Sequence, residues 1–538
     1  MVLLFSCTCT SFAQLDTAAV VPHRFLVIYR DATIPSDAAI RSQAFGARVT
    51  QRNEHLGITA VQSPSTQDDA TTVRLLSAQP NVAYVLQDRI VSAQHLRLKP
   101  IPTSSSGTNL TGQSAGSTPT VGKLPTRGPI LTVASPTILA PAPTRHLPTP
   151  PPAPYDTFYT STPQGWAVQQ VGGYGKGVPG GPAHGPWDTS MGKGVRIAIL
   201  DSGVDRNHPD LAPNLALNLT EVDQTAYPSA CDDGSPQDQQ GHGTWTASLA
   251  AGAAGPGTGQ VIGVAPDATI LNIKVLQRMP AAISGATPAQ QCASGEASGL
   301  LSWVMQGIED AITNRADVIS MSIGALANLS TGDGAGLLAA FNQVTYAATQ
   351  ANAVLVAAAG NDGLDLSDSR FVELPAQSRG VLAIVASTNQ ACAQNTAPGA
   401  ICTPGPVSLS YYSNYGAPLN ALAAPGGSYP DGSDTGSSGW VRGACSSGLP
   451  NTLDGSPSDS SHSFGCFSLG HTAYIQAIGT SASAPLAAGV AALLRAAHPN
   501  WTADAIVTVL RNSAIPAPGL PFPQINAAAA LAQPAPTQ

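Results

Sequence analysis

Val195-Arg196-Ile197-Ala198-Ile199-Leu200 is a short, mostly apolar run that stops abruptly at Asp201-Ser202-Gly203-Val204-Asp205. A continuous apolar run closed by a polar, glycine-containing turn reads as a strand buried on both faces, the habit of parallel sheets. Open α/β sheets carry their sites at the carboxyl ends of strands, where Asp201 falls. Similar runs recur at 269–275, 317–323, 353–359 and 381–386, and residues 299–312 between them place apolar side chains at helical spacing. Strand, helix, strand repeated in this way predicts an α/β fold, a parallel sheet with helices on both faces.

Three more segments carry chemistry-bearing side chains at comparable places. Gln240-Gly241-His242-Gly243-Thr244-Trp245 sets a histidine between two glycines at the mouth of a helix, the glycines leaving room for backbone and substrate. Val354-Leu355-Val356-Ala357-Ala358-Ala359-Gly360-Asn361 is a buried-type strand ending in a carboxamide. Gly479-Thr480-Ser481-Ala482-Ser483-Ala484-Pro485 opens a helix of small apolar residues, so the Ser481 hydroxyl sits among unpaired N–H groups at a helix N-terminus. Singly, each has an ordinary use: Ser481 as N-cap, Asp201 or Asn361 in a turn, His242 as a structural histidine. Together they supply what a serine nucleophile lacks: a base, an orienter for that base, and a donor to an oxyanion.

At these residues the chain resembles the subtilisin-like serine proteases, the subtilases. The order Asp, His, Asn, Ser is theirs, and Asp201-Ser202-Gly203-Val204 with His208-Pro209-Asp210-Leu211, Gly241-His242-Gly243-Thr244, Gly360-Asn361 and Gly479-Thr480-Ser481 match their signature blocks. Gly263-Val264-Ala265-Pro266 with Ile273-Lys274-Val275-Leu276, and Asp317-Val318-Ile319-Ser320-Met321-Ser322-Ile323-Gly324, match two more. The resemblance implies Ser481 as nucleophile, His242 as general base and then acid, Asp201 as orienter of the imidazole, and Asn361 as oxyanion donor. It also implies that Ser322-Ile323-Gly324 and Ala358-Ala359-Gly360 flank an extended peptide as added strands. Main-chain pairing of that kind reads no side chains, so broad endopeptidase activity on protein or peptide substrates is expected. Ala482 stands where the family commonly has methionine, Trp245 where a histidine is usual, and Leu486-Ala487-Ala488-Gly489 where His-Val-Ala-Gly is usual. No cofactor is implied for the chemistry. Structural calcium is left open: Asp210 matches one family ligand, but 255–260 lacks the asparagine usually contributed there.

Ahead of residue 156 the composition changes twice. Residues 22–94 alternate strand and helix signals: Phe25-Leu26-Val27-Ile28-Tyr29, a middle section suited to a helix, Gly57–Val61, a helix-like Val73–Leu76, and Val82–Leu86. This small α+β unit looks like the inhibitory propeptide of many subtilases, an intramolecular partner that plugs the cleft. Residues 95–155 are dense in Pro, Ser and Thr, which reads as a linker. Residues 1–13 read as a probable signal peptide, so the chain is expected to be secreted, outside the cell or in the periplasm. The catalytic domain is expected over 156–535, with a Gly/Ser/Asp-rich surface insertion at 426–470 near the cleft.

Only 10% of residues are charged, against about 25% in typical soluble domains. The net charge of −8 comes without a basic stripe, which excludes nucleic acid as a partner class, and no run approaches the ~20 apolar residues of a membrane span. Six cysteines follow Cys7 and Cys9; in an exported chain they read as disulfides, with neighbours paired as Cys231–Cys292, Cys392–Cys402 and Cys445–Cys466. Two rival functions remain. A dedicated maturation protease for one partner would use the insertion for recognition. A catalytically silent binding protein on the same fold would lack a member of the set Asp201, His242 and Ser481; none is missing. Sedolisin-like acid peptidases need carboxylates where His242 and Asn361 stand.

Overall fold

The structure is a computed structural model. It describes residues 20–93, 165–175, 184–254, 261–293, 295–389, 406–428, 440–449, 452–454, 466–468 and 473–534. The expected signal peptide, the whole linker and the pair Cys392–Cys402 lie outside the described residues.

Residues 20–93 form β1 (Val20–Tyr29), α1 (Ala38–Gln43), β2 (Arg48–Asn53), β3 (Ile58–Gln62), α2 (Asp69–Ser77) and β4 (Val82–Ala93). β1 lies between β3 and β4, and β2 extends the sheet beyond β3, all antiparallel. The alternation in β1 decides its packing. Phe25, Val27 and Tyr29 join a core with Ala38 of α1 and Leu76 of α2, whereas Leu26 and Ile28 belong to a larger core outside this unit. Two features differ from the sequence reading. Helix α1 is short, and the rest of the supposed helical stretch is strand β2, a polar edge strand whose partly exposed residues lack the apolar alternation that announces a strand. β4 runs on to Ala93, because its second half finds partners far along the chain.

Those partners are β9 (Glu296–Leu300) and β11 (Ile323–Asn328). β4 pairs antiparallel with both, Val91 opposite Gly299 and Ser92 opposite Ser298 on one side, Ser92 opposite Gly324 and Ala93 opposite Ile323 on the other. β8 (Gln277–Met279) pairs with β9, and β13 (Phe371–Leu374) pairs with the outer edge of β11.

The parallel sheet runs in the order β14 (Val381–Thr388), β12 (Val354–Ala358), β10 (Val318–Met321), β5 (Arg196–Asp201), β7 (Thr269–Lys274), β6 (Leu215–Thr220). β16 (Leu422–Pro425) lies parallel to β14, and β15 (Ser408–Leu409) adds a short antiparallel edge. The chain leaves β5 toward one edge for β6 and β7, then returns to its other side for β10. This reversal of strand order opens a crevice at the carboxyl end of β5, at Asp201. Both faces are covered, as expected. Ile197 and Ile199 face α4 (His242–Ala251), α8 (Thr480–Ala497) and α9 (Ala503–Ser513). Ala198 and Leu200 face α6 (Leu301–Thr313) and α7 (Gly332–Gln350), together with Leu26 and Ile28 of β1. Shorter helices α3 (Trp166–Gln170), α5 (Pro288–Ala293) and α10 (Ala527–Leu531) complete the set.

A third sheet is built from β17 (Val441–Ala444), β18 (Thr452–Asp454), β19 (Cys466–Ser468) and β20 (Ala473–Ala477). Part of the expected surface insertion is therefore interior: Trp440, Val441, Ala444 and Ser446 are buried. Trp245 explains why, since its indole N–H donates to the Val441 carbonyl at 3.2 Å and a side chain at Gly443 would collide with its ring. Cys231–Cys292 is a disulfide, as paired from the sequence. Cys445 is also disulfide-bonded, while the side chain of Cys466 lies outside the described residues.

Candidate active site

Asp201 is the last residue of β5, and His242 is the first of α4. Both are buried, and His242 Nδ1 lies 2.7 Å from Asp201 Oδ1. The Ser202 N–H donates to the same oxygen at 2.7 Å, and the Thr246 hydroxyl donates to Oδ2 at 3.1 Å. A carboxylate only accepts, so Nδ1 carries the imidazole hydrogen and Nε2 presents its lone pair.

The start of α4 is pinned by a residue that composition alone does not reveal. Asp238 accepts from the Gly241 N–H at 2.8 Å, the Gln240 N–H at 3.0 Å and the Ser202 hydroxyl at 3.0 Å through one oxygen. Its other oxygen accepts the Thr244 N–H and hydroxyl at 2.9 and 2.7 Å. Burial pushes this carboxyl above the usual carboxylate range while the donors pull it back. The preceding loop is tied to β7 by a buried ion pair, Lys274 Nζ lying 2.9 Å from each Asp232 oxygen. Backbone packing requires the glycines beside His242. A Cβ on Gly243 would stand 2.1 Å from the Gly203 carbonyl oxygen and 3.1 Å from the Asp201 Cβ. Gly241 has φ +100° and would meet Leu449.

Ser481 lies in the first turn of α8, which packs on α4. Asn361 is fixed beside it by Thr480, whose N–H and hydroxyl donate to Asn361 Oδ1 at 2.9 and 2.8 Å. With its oxygen so engaged, the Nδ2 side of the carboxamide is turned toward Gly479. A Cβ there would lie 3.3 Å from Nδ2 and 3.8 Å from the Ser481 Cβ. Ser481 is also tied to the expected flanking strand: the Ser322 hydroxyl donates to the Ser481 carbonyl at 2.9 Å, and the Ser481 hydroxyl to the Ser322 carbonyl at 3.4 Å. Pro485 makes the first bond available. It has no N–H to occupy the carbonyl four residues back, and that carbonyl is Ser481's.

Of the two segments expected to flank a peptide, 322–324 does pair with an extended strand, at Ile323 and Gly324. Residues 358–360 make main-chain bonds to other elements. Ala358 pairs with Ile384, the Ala359 N–H donates to the Ile384 carbonyl at 3.0 Å, and the Gly360 N–H to the Thr480 hydroxyl at 3.2 Å. The opposite flank comes from β9, which sequence reading absorbed into the following helix. Asp210 accepts the Val261 N–H at 3.0 Å, and no group of three metal-ligating side chains converges among the described residues.

Comparison with known proteins bears on the family and the fold. Residues 192–534 match the subtilase family model. The chain is 29% identical to subtilisin E of Bacillus subtilis over 313 residues, 58% of each chain. It is 37% identical to thermitase of Thermoactinomyces vulgaris over 177 residues, 33% of this chain and 51% of that one. The chain thus spans about half to three-fifths of the length of such relatives. Among solved structures, fervidolysin from Fervidobacterium pennivorans superposes with a TM-score of 0.60 at 19% identity, over 96% of this chain and 62% of that one. The epidermin leader peptide processing serine protease of Staphylococcus aureus gives 0.57 at 17%, over 96% and 100%, and these two likenesses concern the fold. The match covers well over half of the residues and all four side chains assembled above, and the chain belongs to the subtilase family.

Proposed function

We propose that the chain is a secreted serine endopeptidase. Ser481 attacks the scissile carbonyl, His242 takes its proton through Nε2 and returns it to the leaving amine, and Asp201 holds the imidazole and stabilises its charged form. The tetrahedral oxyanion is received by Asn361 Nδ2 and the Ser481 N–H, and water then releases the acyl group. The observation that carries this reading is the 2.7 Å contact of His242 with Asp201, on a helix packed against the one that carries Ser481 in its first turn. The chemistry needs no cofactor.

Residues 22–94 act in this reading as an inhibitory propeptide. β4 lies between β9 and β11 as an extended peptide would, and most of its pairing is main-chain, which favours breadth over side-chain selectivity. Export is supported by the Cys231–Cys292 disulfide, a bond that persists in oxidising compartments. No helix among the described residues is long and apolar enough to cross a membrane.

Fluorophosphonate labelling of the processed chain tests the proposal. One adduct on Ser481 and none on Ser481→Ala is expected, with proteolysis lost by about six decades, the size recorded for removing the nucleophile of a subtilisin. Labelling elsewhere, or activity surviving in the variant, would refute it.

A further inference from the structure

Glu373 is a buried acid beside the site that the proposed chemistry does not use. It lies on β13 opposite Leu326 of β11 and is 1% exposed. Its carboxyl carbon stands 3.1 Å from the place a Cβ would take on Gly360, and the Asn414 Nδ2, which donates to Glu373 Oε2 at 3.5 Å, stands 2.1 Å from that place. Gly360 has φ +99°, so conformation and crowding both reserve the position for glycine. The carboxylate is thereby laid directly against the residue that precedes Asn361.

Three segments converge next to Ser481. Ser322 touches Ser481 on one side, and Gly360 is bonded to Thr480 on another. β13 pairs with the strand that continues from Ser322 and closes the third side with Glu373. β4 enters antiparallel to β11, Ser92 opposite Gly324 and Ala93 opposite Ile323. A substrate continued one residue further in that register would stand opposite Ser322, whose carbonyl lies 3.4 Å from the Ser481 hydroxyl. A peptide bound as β4 is bound would present to Ser481 the carbonyl of the residue opposite Ser322, with that residue's side chain beside Gly360 and Glu373.

We infer that Glu373 forms the floor of the pocket for the side chain preceding the scissile bond and selects arginine or lysine there. A carboxylate held out of water gains most from a cation that brings its own charge and N–H donors into the same space. The selectivity resides in this one pocket, since the neighbouring positions are read through main chain.

The inference rests on the assignment of Ser481 as nucleophile, and the test separates the two. The processed enzyme is titrated with fluorophosphonate, then kcat/KM is measured on peptide amides differing only in arginine or leucine before the cut. Arginine is expected to be preferred by at least about tenfold, and Glu373→Gln, nearly isosteric but uncharged, to lower the arginine-to-leucine ratio by about 10- to 100-fold, the worth of a charge-assisted hydrogen bond. A labelled enzyme that prefers leucine, or a ratio unchanged in a labelled Glu373→Gln, overturns the inference and leaves the nucleophile standing. Should the variant fail to fold, the wild-type preference alone decides. A wild-type chain that takes no label sinks both readings.

Discussion

The surroundings of Asp201, His242 and Ser481 and the seam that joins residues 20–93 to the remainder are both buried, yet different contacts build them. The first is made by close approach. Gly243 lies on Gly203, the ring of Trp245 lies on Gly443, and Asp238 collects five donors to pin the start of one helix. Such contacts break only if the sheet and its helices separate. The seam combines β-pairing, an apolar face from Leu26 and Ile28, and a few charge-assisted bonds. Asp88 accepts the Ser302 N–H and hydroxyl at 3.0 and 2.6 Å at the N-terminus of α6, and pairs with Arg24 at 3.2 Å. Glu309 accepts His55 Nδ1 at 2.6 Å, and Arg89 pairs with Asp333. One region is fixed by shape. The other adds hydrogen bonds and ion pairs that water can replace, which suits the inhibitor role proposed for residues 22–94.

The sharpest break of the first region is Asn361→Ala. Truncation removes the outward donor together with the oxygen that accepts the Thr480 N–H and hydroxyl, so Tm is measured beside the kinetics to separate the two losses. A loss of about 10²- to 10³-fold in kcat with KM little changed is expected, the size found for one oxyanion-hole donor. A loss carried mainly by KM would mean that Asn361 binds substrate instead. In the seam, Asp88→Ala removes a charged cap from α6 and strands Arg24. Fluorophosphonate should then label the unprocessed chain about 10- to 100-fold faster. Ser302→Ala deletes one donor and strands no charge, and a smaller acceleration of the same sign is expected. Equal labelling rates in all three chains would show that β4 does not control access to Ser481.

The same contrast sets how much was legible in the sequence. Asp201, His242, Asn361 and Ser481 were readable because each lies at or within a few residues of the end or start of a regular element, and parallel strands announce themselves as apolar runs: Ile197–Leu200, Val354–Ala358. The seam was not, because its partners are set by three-dimensional register. Nothing near Leu86 signals that the strand continues to Ala93, since the reason lies at Gly299 and Ile323. β9 was hidden because Glu296–Leu300 runs without a turn signal into α6. Asp238 and Glu373 carry no local pattern at all; burial and convergent donors identify them, and both are tertiary facts. Residues 440–446 were misread as surface because what buries them, Trp245 among others, comes from far along the chain.

Helix α6 joins the two regions, and one of its residues offers a pH test of that junction. Asp310 stands next in sequence to Glu309 and hydrogen-bonds Glu221, the residue after β6. Burial, and then the Asp310 carboxyl, push Glu221 up from 4.5 to about 8. The folded chain therefore keeps a proton that the unfolded chain releases near 4.5. The stabilisation is fully present below that pH and is lost as pH rises toward 8, with a slope of at most about 1.4 kcal/mol per pH unit. In a Ser481→Ala background, which prevents self-digestion, Tm is expected to fall across this window. Glu221→Gln keeps a neutral hydrogen-bonding group at every pH and should flatten that fall. If the flattening extends to the release of residues 20–93, measured by limited proteolysis over the same pH range, the proton is felt at Glu309 one residue away. If Tm flattens but release does not, the seam is insulated from the body that carries the site. Parallel Tm curves for the two chains would show that Glu221 does not hold its proton.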